Sequence, residues 1–156
     1  MVYDSPEWRQ ARDAKLLEWF GGNQSAVNFL VTLSSIAELW DDLVDRDKLP
    51  PREEIDQIFW GVLVELPTNE FFQQNKTFFM PLIIQAITAW RDSTALEKEG
   101  ERGRAYALTL RDTHLLMAPM VVLLLRGEAA AREVSLEMWK YFTANDDPLA
   151  WIKDSK

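Results

Sequence analysis

Cysteine is absent from this 156-residue chain. That excludes a disulfide framework, a Cys-ligated zinc and a thiol nucleophile. Histidine occurs once, as His114, too few for a multi-histidine metal site. Positive charge is short as well: 17 Lys and Arg stand against 25 Asp and Glu, a formal net charge of −8. A chain that acidic is repelled by nucleic acid phosphates and anionic lipid unless a basic patch intervenes, and no such patch is seen. We therefore expect no nucleic-acid partner. Long apolar runs are missing too. The longest, Leu115–Leu125, holds 11 residues and contains Pro119, against the ~20 needed to span a bilayer. The start, MVYDSPEWRQARDAK, has no apolar signal core. The expectation is a cytoplasmic protein with no membrane span.

Core-forming material is abundant. Apolar residues make up 47% of the chain and aromatics 12%, with seven Trp and eight Phe. That is not the composition of a disordered chain. A chain this long can bury roughly 68–70% of its unfolded surface, so one core without staples is feasible.

Punctuation cuts the chain into helices. Ser5-Pro6 opens one that Gly21-Gly22 ends. Asn23 or Ser25 starts a second, running to about Asp45, whose apolar density suggests burial on more than one side. Pro51 opens a third, with Ile55, Ile58, Phe59, Val62 and Leu63 toward the core, closed by Leu66-Pro67. Thr68 or Asn69 caps a short turn around Phe71-Phe72. Then come a helix at 78–96 with Pro81 in its first turn, one at 104–125 kinked at Pro119, and one at 129–143. Strand signals are poor. The reading is a single all-α domain over 1–156, a bundle of six to seven helices, with 144–156 as a loosely docked tail. Trp151 and Ile152 in that tail dock on the bundle or reach a second subunit.

One constellation carries potential chemistry. Glu38, Asp41, Asp42 and Asp45 stand at i, i+3, i+4 and i+7, on one stripe of the second helix. Like charges at these spacings repel, crowd the negative end of the helix dipole and include a mediocre helix former. A hard cation would offset these penalties, since Mg²⁺ takes carboxylate, water and phosphate oxygens. A solvated acidic face, partly balanced by Arg46, Lys48 and Arg52, explains the same residues without a metal.

The run Asp41-Asp42-Leu43-Val44-Asp45 has the form DDxxD, and it resembles the first acidic motif of the phytoene and squalene synthase branch of the isoprenoid synthases. Lys48-Leu49-Pro50-Pro51 fills the place of that family's proline-containing loop. Tyr106-Ala107 followed by Leu116-Met117-Ala118-Pro119 is a weaker likeness. The resemblance implies a reduced, terpenoid-synthase-like bundle in which Asp41, Asp42, Asp45, Glu38 and Asp112 hold Mg²⁺ and Arg111 grips a diphosphate. The second acidic motif is incomplete: Leu110-Arg111-Asp112 fits its beginning, but Leu116 stands where the closing Asp belongs. The chain is also about half the family's length, so a complete prenyl synthase is not implied. The acidic run is similar, too, to small bacteriophage helical proteins of uncharacterised activity, which would put the protein in a host cytoplasm.

Two other readings compete. Glu38-x-x-Asp41 and Glu53-x-x-Asp56 have the E-x-x-D form of all-α nucleoside triphosphate pyrophosphatases, though the second pair sits in a first turn where capping explains it. The other is a non-catalytic helical interaction protein, a homodimer of phage type. Arg111, Asp112 and His114 interrupt an apolar helix. Arg111 and Asp112 fit either a phosphate and metal site or a half-buried pair anchoring another helix.

Overall fold

The computed structural model describes residues 5–45 and 49–153, without the side chains of Asp45, Asp112 and His114. The protein is all-α, and no strand occurs among the described residues. Its helices are α1 (Pro6–Trp19), α2 (Gln24–Asp45), α3 (Arg52–Trp60), a π-helical segment (Gly61–Glu65), α4 (Leu66–Thr68), α5 (Glu70–Leu96), a 3₁₀ turn (Glu97–Glu99), α6 (Gly100–Arg111), a 3₁₀ segment (Asp112–Leu116), α7 (Met117–Arg126), α8 (Glu128–Phe142) and α9 (Pro148–Lys153). Residues 52–68 run as one continuous rod, and so do 100–126. Counted as rods, the described helices number seven, within the six to seven expected. None is long and apolar enough to cross a membrane.

The chain divides into two compact units, Met1–Lys76 and Thr77–Lys156, with the boundary inside α5. In the first unit, the Ser5 hydroxyl accepts from the Trp8 amide at 3.2 Å and Pro6 follows at N1. The helix so opened ends where Gly21 and Gly22 take φ of 63° and 84°, a conformation L side chains resist. Asn23 caps α2 through the Ala26 amide at 2.9 Å. Asn69 performs the same service for α5. Its Oδ1 accepts from the Phe72 amide at 2.8 Å and from the Ser25 hydroxyl at 3.2 Å, and its Nδ2 donates to the Ser25 carbonyl at 2.9 Å. This exchange ties the start of α5 to the start of α2. Beside it Phe29, fully buried, stacks on Phe72 with centroids 5.4 Å apart and tilts against Phe71 at 5.6 Å.

The expected turn at Phe71-Phe72 and helix at 78–96 are one helix, α5. Pro81 lies inside it rather than in its first turn. A proline there removes one i→i−4 bond, and the helix continues past it. Pro119, by contrast, falls in the first turn of α7, where proline is tolerated. The change of helix type at 112–116 places it there.

In the second unit α7 and α8 pack closely, and Val121 and Val122 on α7 and Val134 and Met138 on α8 are buried. The tail is docked: α9 lies on α6, and Arg104 Nε donates to the Ile152 carbonyl at 2.5 Å.

Candidate functional site

Burial along α2 falls from its start to its end. Ala26, Val27, Phe29 and Leu30 are buried, the residues from Val31 to Ala37 are half-buried, and Leu39 is the last core residue. Leu43 and Val44 are exposed, so the helix is not covered on several sides throughout as its composition suggested. The acidic stripe occupies this emerging end. Glu38 is exposed, and Asp41 and Asp42 are half-buried. Each of the three makes a hydrogen-bonding or electrostatic contact. The Asp45 side chain, Arg46 and Lys48 lie outside the described residues. Among the described residues, no three His, Cys, Asp or Glu side chains are grouped so as to hold a metal ion.

Arg111 stands at the end of α6 in the second unit, and its guanidinium is occupied. Nε donates to Glu97 Oε1 at 2.6 Å, and Nη2 approaches the same oxygen at 2.5 Å, with the two side chains 18% and 27% exposed. The Trp151 ring lies 6.0 Å from its centre, a cation–π distance. Arg111 thus contacts Glu97 and Trp151, whereas the anchoring pair expected from the sequence was Arg111 with Asp112. Asp112 opens the 3₁₀ segment and His114 lies within it, but their side chains fall outside the description. Arg52 and Asp56 on α3 pair with each other at 3.6 Å, both exposed, at the i,i+4 spacing of a solvated helix pair.

A cavity of about 320 Å³ opens in the second unit, with Leu82, Met117 and Met120 among its walls and Gln85, Thr113 and Ser135 as its polar positions. None of the described residues that line it is charged.

The rod at 52–68 departs most from expectation. Phe59 is 60% exposed, Trp60 58% and Leu63 69%, and Val62 is also exposed. Phe59, Val62 and Leu63 were expected in the core. Phe59 and Trp60 lie on α3, a helix with no buried residue; at Val62 and Leu63 the difference comes from the π-helical segment. Its wider turn breaks the 3.6-residue periodicity, and the residue it turns inward is Gly61. Gly61 is buried, and a Cβ built on it would sit 3.4 Å from Thr32 Cγ2 on α2. With glycine on the inner side the rod lies close to α2, and the bulky neighbours point outward. The signal in the sequence was that one glycine within Phe59-Trp60-Gly61-Val62-Leu63.

No family model, curated protein or solved structure matches the chain.

Proposed function

We propose that this chain is a non-catalytic helical interaction protein that acts as a homodimer in the cytoplasm. The observation that carries the reading is the exposed, uncharged apolar face of the 52–68 rod. Large contiguous apolar exposure on a soluble domain marks an interaction surface. Trp and Phe are the residue types that dominate binding energy at such surfaces.

Magnesium-dependent binding of a diphosphate by Glu38, Asp41, Asp42, Asp45, Asp112 and Arg111 has less support. The described carboxylates do not group around an ion position, and Arg111 is committed to Glu97. Nucleotide pyrophosphohydrolysis has less still, because Asp56 is engaged with Arg52 in solvent.

Sedimentation equilibrium of the full chain from about 1 to about 100 µM tests the reading. The expected result is a mass that rises with concentration from 18.1 kDa toward twice that value. A constant monomer mass across the range, with melting raised by Mg²⁺ plus inorganic diphosphate, overturns it in favour of the ligand-binding reading.

A further inference from the structure

We propose that a second copy of this chain docks on the face formed by Phe59, Trp60, Val62 and Leu63. The pairing is antiparallel and two-fold, and it sets Phe59 of one copy against Leu63 of the other. This rests on the self-association reading above and adds to it the surface and the register.

Area is the first argument. A fully exposed aromatic side chain offers roughly 150–250 Å², so Phe59 and Leu63 on the outer side, with Trp60 and Val62 on its two flanks, leave on the order of 450 Å² of apolar side chain open. A standard interface covers about 800 Å² per partner, of which about 56–65% is apolar. That requires close to the amount this face offers. A second copy of the same face is therefore an occupant of matching size.

Charge is the second. Two chains of net charge −8 repel each other, so self-association costs least where the surface carries no charge. Residues 57–64 are uncharged throughout, with Arg52 and Asp56 on one flank and Glu65 on the other. Charged residues at the edge and apolar ones at the centre are the layout of an interface. An anionic lipid surface would meet the acidic flank and the −8 net charge, which argues against a membrane as occupant.

Geometry supplies the register. Phe59 and Leu63 are four residues apart across the π turn, so they lie nearly above one another on the outer side, opposite Gly61. An isologous contact requires that if residue i meets j, then j meets i. An antiparallel crossing centred near Gly61 satisfies this with Phe59 on Leu63 at both ends, aromatic on aliphatic twice. The close approach of the rod to α2 at Thr32 holds the face in place before binding, which limits the ordering cost of association.

The test uses the full chain in sedimentation equilibrium. Phe59→Glu and Leu63→Lys both alter exposed positions, so helicity and melting should hold for each alone, and circular dichroism checks that they do. Each variant alone should dimerise at least about 100-fold more weakly than the parent. Mixing the two should restore the dimer, because a Glu at 59 then faces a Lys at 63 on one side while the native Phe59–Leu63 contact survives on the other. Leu136→Lys, on α8 and 61% exposed, should leave the association unchanged. If the parent dimerises but neither Phe59→Glu nor Leu63→Lys weakens it, this face is wrong while self-association stands. If each variant is monomeric and mixing restores nothing, the antiparallel register is wrong. A parent that stays monomeric overturns both proposals, and binding of such a monomer to phosphatidylcholine vesicles would identify a lipid surface as the occupant instead.

Discussion

Glycine-to-alanine substitution at two helical positions should act with opposite sign. Neither Gly61 nor Gly103 has a positive φ, and each lies within a helical segment. By intrinsic propensity alone, alanine would stabilise either by about 1 kcal/mol. Their surroundings differ. A Cβ on Gly61 meets Thr32 Cγ2 at 3.4 Å, the edge of ordinary contact, and Glu65 Oε2 at 3.8 Å, both side-chain atoms. A Cβ on Gly103 would lie 2.2 Å from the Leu96 carbonyl oxygen and 2.8 Å from Glu99 Cβ. The first of these is backbone at the last residue of α5, so the end of α5 and the 3₁₀ turn at 97–99 that follows it must shift by about an ångström. Overpacking of that kind costs roughly 1–3 kcal/mol, occasionally more. The same turn carries Glu97 to Arg111, so its displacement also loosens that ion pair. Gly61→Ala should therefore gain between zero and about 1 kcal/mol, and Gly103→Ala should lose about 1–3 kcal/mol. Urea unfolding followed by circular dichroism, with the parent alongside, measures both. Each kcal/mol is worth about 2–4 °C in Tm at this length. A Gly103→Ala protein as stable as the parent would refute the reasoning, because backbone crowding would then not outweigh propensity.

Glu97→Gln removes the charge opposite a guanidinium only 18% exposed and should cost about 1–2 kcal/mol in urea unfolding; no measurable loss would show Arg111 to be independent of it. Asn69→Ala deletes both the α5 cap and the link to Ser25 and should cost about 1–2 kcal/mol, whereas Asn69→Asp should retain the cap and lose less. Mg²⁺ and NaCl at matched ionic strength should shift the melting temperature equally; a Mg²⁺-specific gain abolished by Asp41→Asn would favour diphosphate chemistry over the interaction reading. Two chains of charge −8 repel, and the Debye length falls from about 30 Å at 10 mM salt to about 8 Å at 150 mM. Self-association should therefore tighten by roughly tenfold or more across that range, and weakening with salt would point to contacts made by charges.

Local rules carried the helices well and the faces poorly. Ser5-Pro6, Gly21-Gly22, Asn23, Asn69 and Gly127 act on neighbours within a few residues, and each does what its type and spacing imply. Pro81 misled because a proline's preference for the first turn is a bias, and the bonds of a 27-residue helix outweigh one lost bond. The outward face of the 52–68 rod has two sources: α3, with Phe59 and Trp60, buries no residue, and the π turn shifts Val62 and Leu63 off the 3.6-residue period. Arg111 interrupts an apolar stretch, which marks it as a residue with a use but not which one. Its partner, 14 residues earlier, is set by how the turn at Gly100 folds back, and no i,i+4 rule reports that. The tail's docking on α6 is likewise a long-range contact between residues 48 apart.

The acidic stripe acquires a physical use on the proposed pairing without any metal. An exposed apolar face on a neutral chain invites open-ended association, and two properties oppose that here. A two-fold contact is closed: each copy spends its face once, and nothing of it remains for a third. Net negative charge then keeps completed pairs apart. The stripe stands at the end of α2, the helix against which the 52–68 rod packs, so it concentrates charge on the element next to the face. The like-charge and dipole penalties of Glu38, Asp41 and Asp42 amount to tenths of a kcal/mol each. Losing a defined dimer to aggregation would be far more costly to the protein. On this argument Asp41→Asn and Asp42→Asn together should leave the dimer affinity at least as strong as in the parent and lower the protein concentration at which larger species form. A diphosphate site would instead give a variant that assembles as the parent does and fails only in binding its ligand.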